Sequence, residues 1–157
     1  MLIGILSDSH DNLTNLEKAV RFFNENKVQL VLHAGDFIAP FTIPRMKALI
    51  CDYKGVFGNN DGEKQGLEHT SQGRITEGPL RFEINGEKVT LIHDLSHIDA
   101  QKEDARLIIC GHTHKPQIIK ENNRLTINPG ECGGWLYGKS TVALVDMPQL
   151  TAQIHEI

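Results

Sequence analysis

The chain has little cysteine. Cys51, Cys110 and Cys132 stand far apart, with no Cys-x-x-Cys pair. An odd, scattered set excludes a disulfide scaffold and a thiolate zinc site, and reads as reduced thiols. Cys51 and Cys110 lie beside apolar strand residues and are expected to act as small core hydrophobes. Positive charge is not in excess: 16 Lys and Arg face 20 Asp and Glu, a net charge of −4. That balance argues against a nucleic-acid coat. No apolar run reaches the ~18 residues that a membrane-spanning helix needs. The run Leu2 to Leu6 has no basic segment before it and stops at Ser7-Asp8. It is too short for a signal-peptide core, so a cytoplasmic location is expected. There is no internal repeat, linker or low-complexity stretch.

What is present fits an ordinary globule: 157 residues, 39% hydrophobic and 23% charged. One domain is expected over residues 1–157, burying about 70% of its unfolded surface. Leu2 to Leu6 reads as a strand buried on both faces. Leu13, Leu16, Val20 and Phe23 then mark one face of a helix, with Asn12 or Asp11 able to cap it. Val28 to Leu32 is a second strand, Pro44 to Leu49 a short helix and Tyr53 to Phe57 a third strand. Such alternation implies a parallel sheet.

The second half is richer in strands. Leu80–Ile84 and Lys88–Ile92 flank Asn85-Gly86, a strong hairpin signal. A short polar helix is expected over Ser96 to Lys102 and a strand over Leu107 to Cys110. Gln117–Lys120 and Arg124–Asn128 flank Asn122-Asn123, and Ser140–Asp146 and Thr151–His155 flank Met147-Pro148-Gln149, giving two more hairpins. The expected fold class is α/β: two packed mixed β-sheets with helices outside, a four-layer αββα sandwich.

Chemistry-bearing residues collect where these strands end. They are Asp8-Ser9-His10, Gly35-Asp36, Gly58-Asn59-Asn60-Asp61, His93-Asp94 and Gly111-His112-Thr113-His114. Ligands of open α/β sheets bind outside the carboxyl ends of the strands. Asp8, His10, Asp36, Asn59, His93, His112 and His114 supply two carboxylates, an amide oxygen and four imidazoles. This mixed N/O set suits manganese, iron, cobalt, nickel or zinc better than magnesium or calcium. Seven donors exceed one tetrahedral ion and fit two, with one carboxylate bridging at about 3.5–4 Å. Two divalent ions and two carboxylates leave a formal excess of about two positive charges, which attracts an anion.

In this order the motifs resemble those of the calcineurin-like metallophosphoesterases. Gly111-His112-Thr113-His114-Lys115-Pro116, Ile127-Asn128-Pro129-Gly130 and the compact length are similar to the small microbial branch, the YfcE/MJ0936-type phosphodiesterases. The resemblance covers nearly the whole chain and implies the same two-sheet fold. It implies one ion on Asp8, His10, Asp36 and His114, and a second on Asp36, Asn59, His93 and His112. Asp36 and a water would bridge them. Manganese or nickel is favoured. The expected reaction is hydrolysis of a phosphodiester by a water that the two ions activate, on a small phosphate-ester substrate.

Two positions depart from the family pattern. Asn60 replaces a histidine that serves the leaving group in many larger relatives. Asn60 can donate a hydrogen bond but cannot give up a proton at useful pH. Asp61 then lacks the imidazole it would orient. Diesters with acidic leaving groups are therefore expected to turn over better than alkyl monoesters. Asp94 stands where relatives carry glycine; it orients His93, repels a substrate phosphate or faces solvent.

The remaining candidates have plainer readings. His33 is expected to be a hydrogen-bonded core histidine or a partner that supports a ligand from behind, and His69, His97, His155 and Lys115 to be solvated. Asn128 and Gly130 shape the cleft through backbone groups or simply make a turn. Trp135 and Tyr137 line an aryl or nucleotide pocket or pack against a second subunit, with the subunit contact, and so a homo-oligomer, preferred. Two other functions compete: a phosphomonoesterase or nucleotidase with the same metals, and a non-catalytic interaction module such as the retromer subunit of this fold. Loss of metal ligands marks such a module, whereas all seven positions are filled here.

Overall fold

The computed structural model of the protein describes every residue except 148. Among the described residues, eleven strands form two mixed sheets. The first sheet has the order β11 (Thr151–Glu156), β10 (Thr141–Asp146), β1 (Leu2–Leu6), β2 (Leu30–His33), β3 (Asp52–Val56) and β4 (Ile75–Thr76). Strands β1 to β4 run parallel, whereas β10 and β11 are antiparallel additions. The second sheet has the order β5 (Leu80–Ile84), β6 (Glu87–Leu91), β7 (Leu107–Ile109), β9 (Arg124–Asn128) and β8 (Gln117–Glu121). Here β6, β7 and β9 run parallel, and the hairpins β5–β6 and β8–β9 turn at Asn85-Gly86 and Asn122-Asn123. The β10–β11 pair forms as expected, although Pro148 of its Met147-Pro148-Gln149 turn lies outside the described residues.

Alternation along the strands sorts side chains into two cores. Ile3, Ile5, Leu32, Leu91, Ile109 and Ile127 pack between the sheets. On the far side of the first sheet, Val31, Leu6 and Phe37 meet the helices α1 (Leu13–Glu25), α2 (Ile43–Met46) and α3 (Lys64–Ser71). Helix α1 buries Leu16, Ala19, Val20 and Phe23, a 3.6-residue stripe, and Asn12 caps it by accepting the Asn15 N–H at 3.2 Å. Leu16, Val20 and Phe23 each contribute about 1.5–3 kcal/mol by leaving water.

Two expected elements differ, and two unexpected ones form. The helix over Pro44 to Leu49 is instead a 3-10 turn, Pro40–Thr42, running into the four-residue α2. Helix α3 and strand β4 were not expected; only Leu67 and Ser71 of α3 are buried, so its sequence carries no apolar period. The helix over Ser96 to Lys102 is replaced by a 3-10 turn, Leu95–His97, and irregular chain. Arg124 provides the physical reason. Its guanidinium donates to the carbonyls of Ala100, Glu103 and Ala105, so these carbonyls are satisfied without a helix. Thr90 Oγ donates to the Glu103 carboxylate at 2.9 Å and ties the same segment to the outer face of β6.

Candidate metal centre

The parallel strands of both sheets end along adjoining edges, and loops from the two edges bond to each other. The Asp8 N–H donates to Gly35 O at 3.0 Å and the His10 N–H to Asp36 O at 2.9 Å. The Gly111 N–H donates to His93 O at 2.9 Å. His93 Nδ1 meets Ala34 O at 2.8 Å, which joins the second sheet to the first. Two glycines make the close approaches. A Cβ at Gly58 would lie 2.1 Å from Asp36 Oδ1, and one at Gly111 would lie 1.8 Å from Ser7 Oγ.

The loops bring together Asp8, His10, Asp36 and His114, whose ligand atoms all lie within 4.8 Å of one another. His114 Nε2 is 3.4 Å from Asp8 Oδ1, and His10 Nε2 is 3.9 Å from Asp36 Oδ2. Beside this group, His93 Nε2 approaches Asp36 Oδ2 at 3.6 Å. Asn59 Oδ1 lies 2.8 Å from His93 Nε2 and 2.9 Å from His112 Nδ1. Asp36 thus stands between the two sets. Five of the seven positions have left-handed backbone: φ is 51° at Asp8, 48° at His10, 62° at Asp36, 66° at His112 and 60° at His114. Each costs on the order of 1–2 kcal/mol for a residue with a Cβ, and such strain gathers at functional sites.

The donor set fits a divalent metal. Asp8 is fully buried, yet its Oδ1 has no hydrogen-bond partner. A bare carboxylate oxygen in the interior is costly unless a cation faces it. Burial first, and the Asp36 carboxylate after it, raises the Asp8 pKa above its ordinary value, although Ser7, His114 and His93 oppose the rise. Asp8 Oδ2 meanwhile accepts the His112 N–H at 3.1 Å and so holds the histidine loop.

Neighbouring residues have roles that differ in part from expectation. Asp61 is buried and accepts N–H groups from Gly58 at 2.7 Å, Asp36 at 3.1 Å and Ile38 at 2.6 Å. It therefore ties the Asp36 loop to the Asn59 loop. Burial raises its pKa against these bonds. Asn60 Nδ2 donates to Asp36 Oδ2 at 2.8 Å and its backbone N–H to Asp36 Oδ1 at 2.9 Å, so its amide orients that carboxylate. Asp94 does not orient His93; the Ala34 carbonyl does that. Asp94 Oδ2 instead lies 3.7 Å from His112 Nε2 and 3.8 Å from His97 Nε2. Burial works against its ionised form, but Ser96, His112 and His97 together hold its pKa below the usual value.

His33 is a core histidine, stacked on Phe37 with ring centroids 3.6 Å apart. Its Nδ1 accepts the Gly35 N–H at 3.1 Å, so Nε2 carries the proton and meets Ser9 Oγ at 2.9 Å. Burial holds its pKa well below the ordinary value. His69, His97 and Lys115 are exposed as expected. His155 is not: it is half-buried against Phe22 at 5.1 Å, with Nε2 shielded from solvent. Asn128 acts through its side chain rather than its backbone, donating from Nδ2 to Gly111 O at 2.7 Å and to Thr113 Oγ1 at 3.0 Å.

Sequence reasoning missed Glu131. It is 1% exposed, and its Oε2 lies 3.6 Å from His114 Nδ1. A carboxylate behind a histidine fixes ring orientation and raises basicity at metal sites. The same carboxylate accepts the N–H groups of Trp135 and Leu136. A charged residue between Pro129-Gly130 and Gly133-Gly134 reads as a solvated turn; its place in a glycine-rich stretch was the only local signal.

Two clefts flank the centre. One, of about 480 Å³, opens past His10, His114 and Asn60 toward Trp135. The other, of about 460 Å³, opens past Asn59, His93 and His112 toward Phe57 and Lys64.

The chain is similar in sequence and fold to known phosphoesterases. Over 156 residues the chain is 36% identical to phosphodiesterase MJ0936 of Methanocaldococcus jannaschii, covering 93% of each chain. It is 33% identical to a probable metallophosphoesterase of Methanothermobacter thermautotrophicus, covering 83% of this chain and 76% of that one. A solved archaeal phosphodiesterase superposes over the full length of both chains with a TM-score of 0.93 and 32% identity. The model of the calcineurin-like phosphoesterase superfamily domain matches residues 1–149, and the chain belongs to that superfamily.

Proposed function

We propose that the protein is a metal-dependent phosphodiesterase acting on a small phosphate ester in the cytoplasm. The observation that carries the metal reading is the buried, partnerless Asp8 Oδ1 within the cluster of Asp8, His10, Asp36 and His114. The likeness to two archaeal phosphodiesterases supports the ester class. Three free cysteines support a reducing compartment. Among the described residues, no helix is long and apolar enough to cross a membrane.

Asp8, His10, Asp36 and His114 would hold one ion and Asp36, Asn59, His93 and His112 a second, with manganese or nickel favoured. Bound there, divalent ions would supply activation of a water and neutralisation of charge on the phosphate oxygens. The chain's own groups position these donors. Asp61 and Asn60 fix Asp36, the Ala34 carbonyl fixes His93, and Asn59 Oδ1 faces both His93 and His112. Where many larger relatives carry a histidine for the leaving group, Asn60 stands with its amide turned to Asp36 and has no proton to give at useful pH. This favours diesters with acidic leaving groups over the phosphomonoesterase or nucleotidase reading. All seven donor positions are filled, which disfavours a non-catalytic module.

The test is metal analysis of the purified protein, paired with a panel of aryl diesters and alkyl monoesters with and without chelator. Diester hydrolysis that chelator abolishes and manganese restores is expected. Hydrolysis indifferent to chelator, or alkyl monoesters matching aryl diesters, would overturn the reading.

A further inference from the structure

The cleft beside His10, Asn60 and His114 has an apolar wall made of Trp135, Leu136 and Ile38. Trp135 is 61% exposed and Leu136 66%, an unusual cost for large apolar groups at the rim of a charged centre. Their backbone is nevertheless firmly held. The N–H groups of both donate to Glu131, which is almost fully buried, with Leu136 at 3.0 and 3.1 Å from its two oxygens. Just before them, the Gly133 carbonyl accepts from Asn12 Nδ2 at 2.7 Å and from Asn15 Nδ2 at 3.0 Å. The Gly133 N–H donates to Asp8 O at 2.9 Å. The strap that carries the indole is thus tied to the loop of the first carboxylate and, through Glu131, to His114. Its position relative to the reacting centre is preset.

We propose that this cleft is a binding subsite for a flat aromatic substituent of the phosphodiester, stacked on Trp135 between Leu136 and Ile38. The proposal rests on the phosphodiesterase reading and adds to it the class of substituent. The same cleft is lined by His10, Asn60 and His114, so a group there lies directly beside a phosphate at the centre. Tryptophan presents a large rigid face at low entropic cost, and aromatic stacking tolerates different rings.

The experiment uses non-hydrolysable phosphonates on the manganese-loaded full chain: methylphosphonate, phenylphosphonate and a 5′-phosphonate of adenosine. Binding is measured by calorimetry and by the emission of Trp135, the single tryptophan of the chain. Phenylphosphonate is expected to bind about tenfold more tightly than methylphosphonate, and to change the emission where methylphosphonate does not. In Trp135→Ala the preference falls to within about twofold while methylphosphonate binding stays, and Trp135→Phe keeps most of it. Tighter binding of the adenosine compound than of phenylphosphonate identifies a nucleobase as the occupant; the reverse identifies a simple aryl group. An unchanged phenyl-to-methyl ratio in Trp135→Ala overturns the subsite. So does self-association, seen by sedimentation, that Trp135→Ala abolishes, because the indole then seats a second copy. Hydrolysis of bis(4-nitrophenyl) phosphate by the unaltered protein tests the parent reading separately: its absence refutes that reading, whereas its presence with an unchanged ratio refutes only the subsite.

Discussion

Replacing Asn128 by alanine removes a side chain that fastens the histidine loop to the end of β9. Asn128 is 4% exposed at the end of β9. Its Nδ2 donates to Gly111 O at 2.7 Å and Thr113 Oγ1 at 3.0 Å, and its Oδ1 accepts the Gly130 N–H at 2.9 Å. Gly111 O keeps a second donor, the Thr113 N–H at 2.7 Å, and exposed Thr113 can turn to water. The buried Gly130 N–H loses the partner it has. An orphaned buried donor costs about 1–3 kcal/mol and each lost bond about 0.5–1.5 kcal/mol, so about 3 kcal/mol in total is expected. For a chain of this length that lowers Tm by about 6–12 °C, read by circular dichroism. The loop also holds His112 and His114 at positive φ. Without its tether, manganese affinity should fall about 10- to 100-fold by calorimetry. Thr113→Ala is the control, expected within about 0.5 kcal/mol of the unaltered protein. If Asn128→Ala melts with Thr113→Ala and binds manganese as tightly, the side chain does not organise the loop.

Further outcomes follow from the same geometry. Asp36→Ala should abolish metal content by elemental analysis and lower diester turnover by at least about 10³-fold, because both donor sets share this carboxylate; full occupancy and rate in the variant would dissolve the bridging assignment. Glu131→Gln keeps an acceptor for the strap but removes the charge 3.6 Å from His114 Nδ1. Manganese affinity should drop about tenfold with little change in Tm, whereas a collapsed Tm with unchanged affinity would mark a purely structural residue. Burial pushes the Cys110 and Cys132 thiols up to about 12, so at pH 8 only about one in 10⁴ is ionised. Native protein treated with iodoacetamide should gain one adduct by intact mass, at half-buried Cys51; rapid modification of Cys132 would show that its core opens readily.

The strands and their ends were legible because each buried strand is a short apolar run that stops at an oxygen- or nitrogen-bearing side chain, as at Leu6-Ser7-Asp8 and Ile109-Cys110-Gly111-His112. Local pattern failed where tertiary partners decide the outcome. Helix α3 presents one leucine to the core and so has no period to detect. The chain over 96–102 has the composition of a polar helix, but Arg124, distant in sequence, takes the carbonyl of Ala100 within it and that of Glu103 just beyond it. Asp94 and Glu131 illustrate the same point within the site. Each stands close to a histidine, 3.7 Å from His112 and 3.6 Å from His114 respectively, that only the folded loops bring near. The seven candidate donors could be named from sequence, but the backbone strain at five of them and the carboxylates beside the histidines could not.

The most direct test of the central claim is anomalous diffraction from crystals soaked in manganese. Two peaks are predicted about 3.5–4 Å apart. One should be touched by Asp8, His10, Asp36 and His114, and the other by Asp36, Asn59, His93 and His112. No peak at these residues, or a single peak that leaves Asp36 without a metal contact, would contradict it.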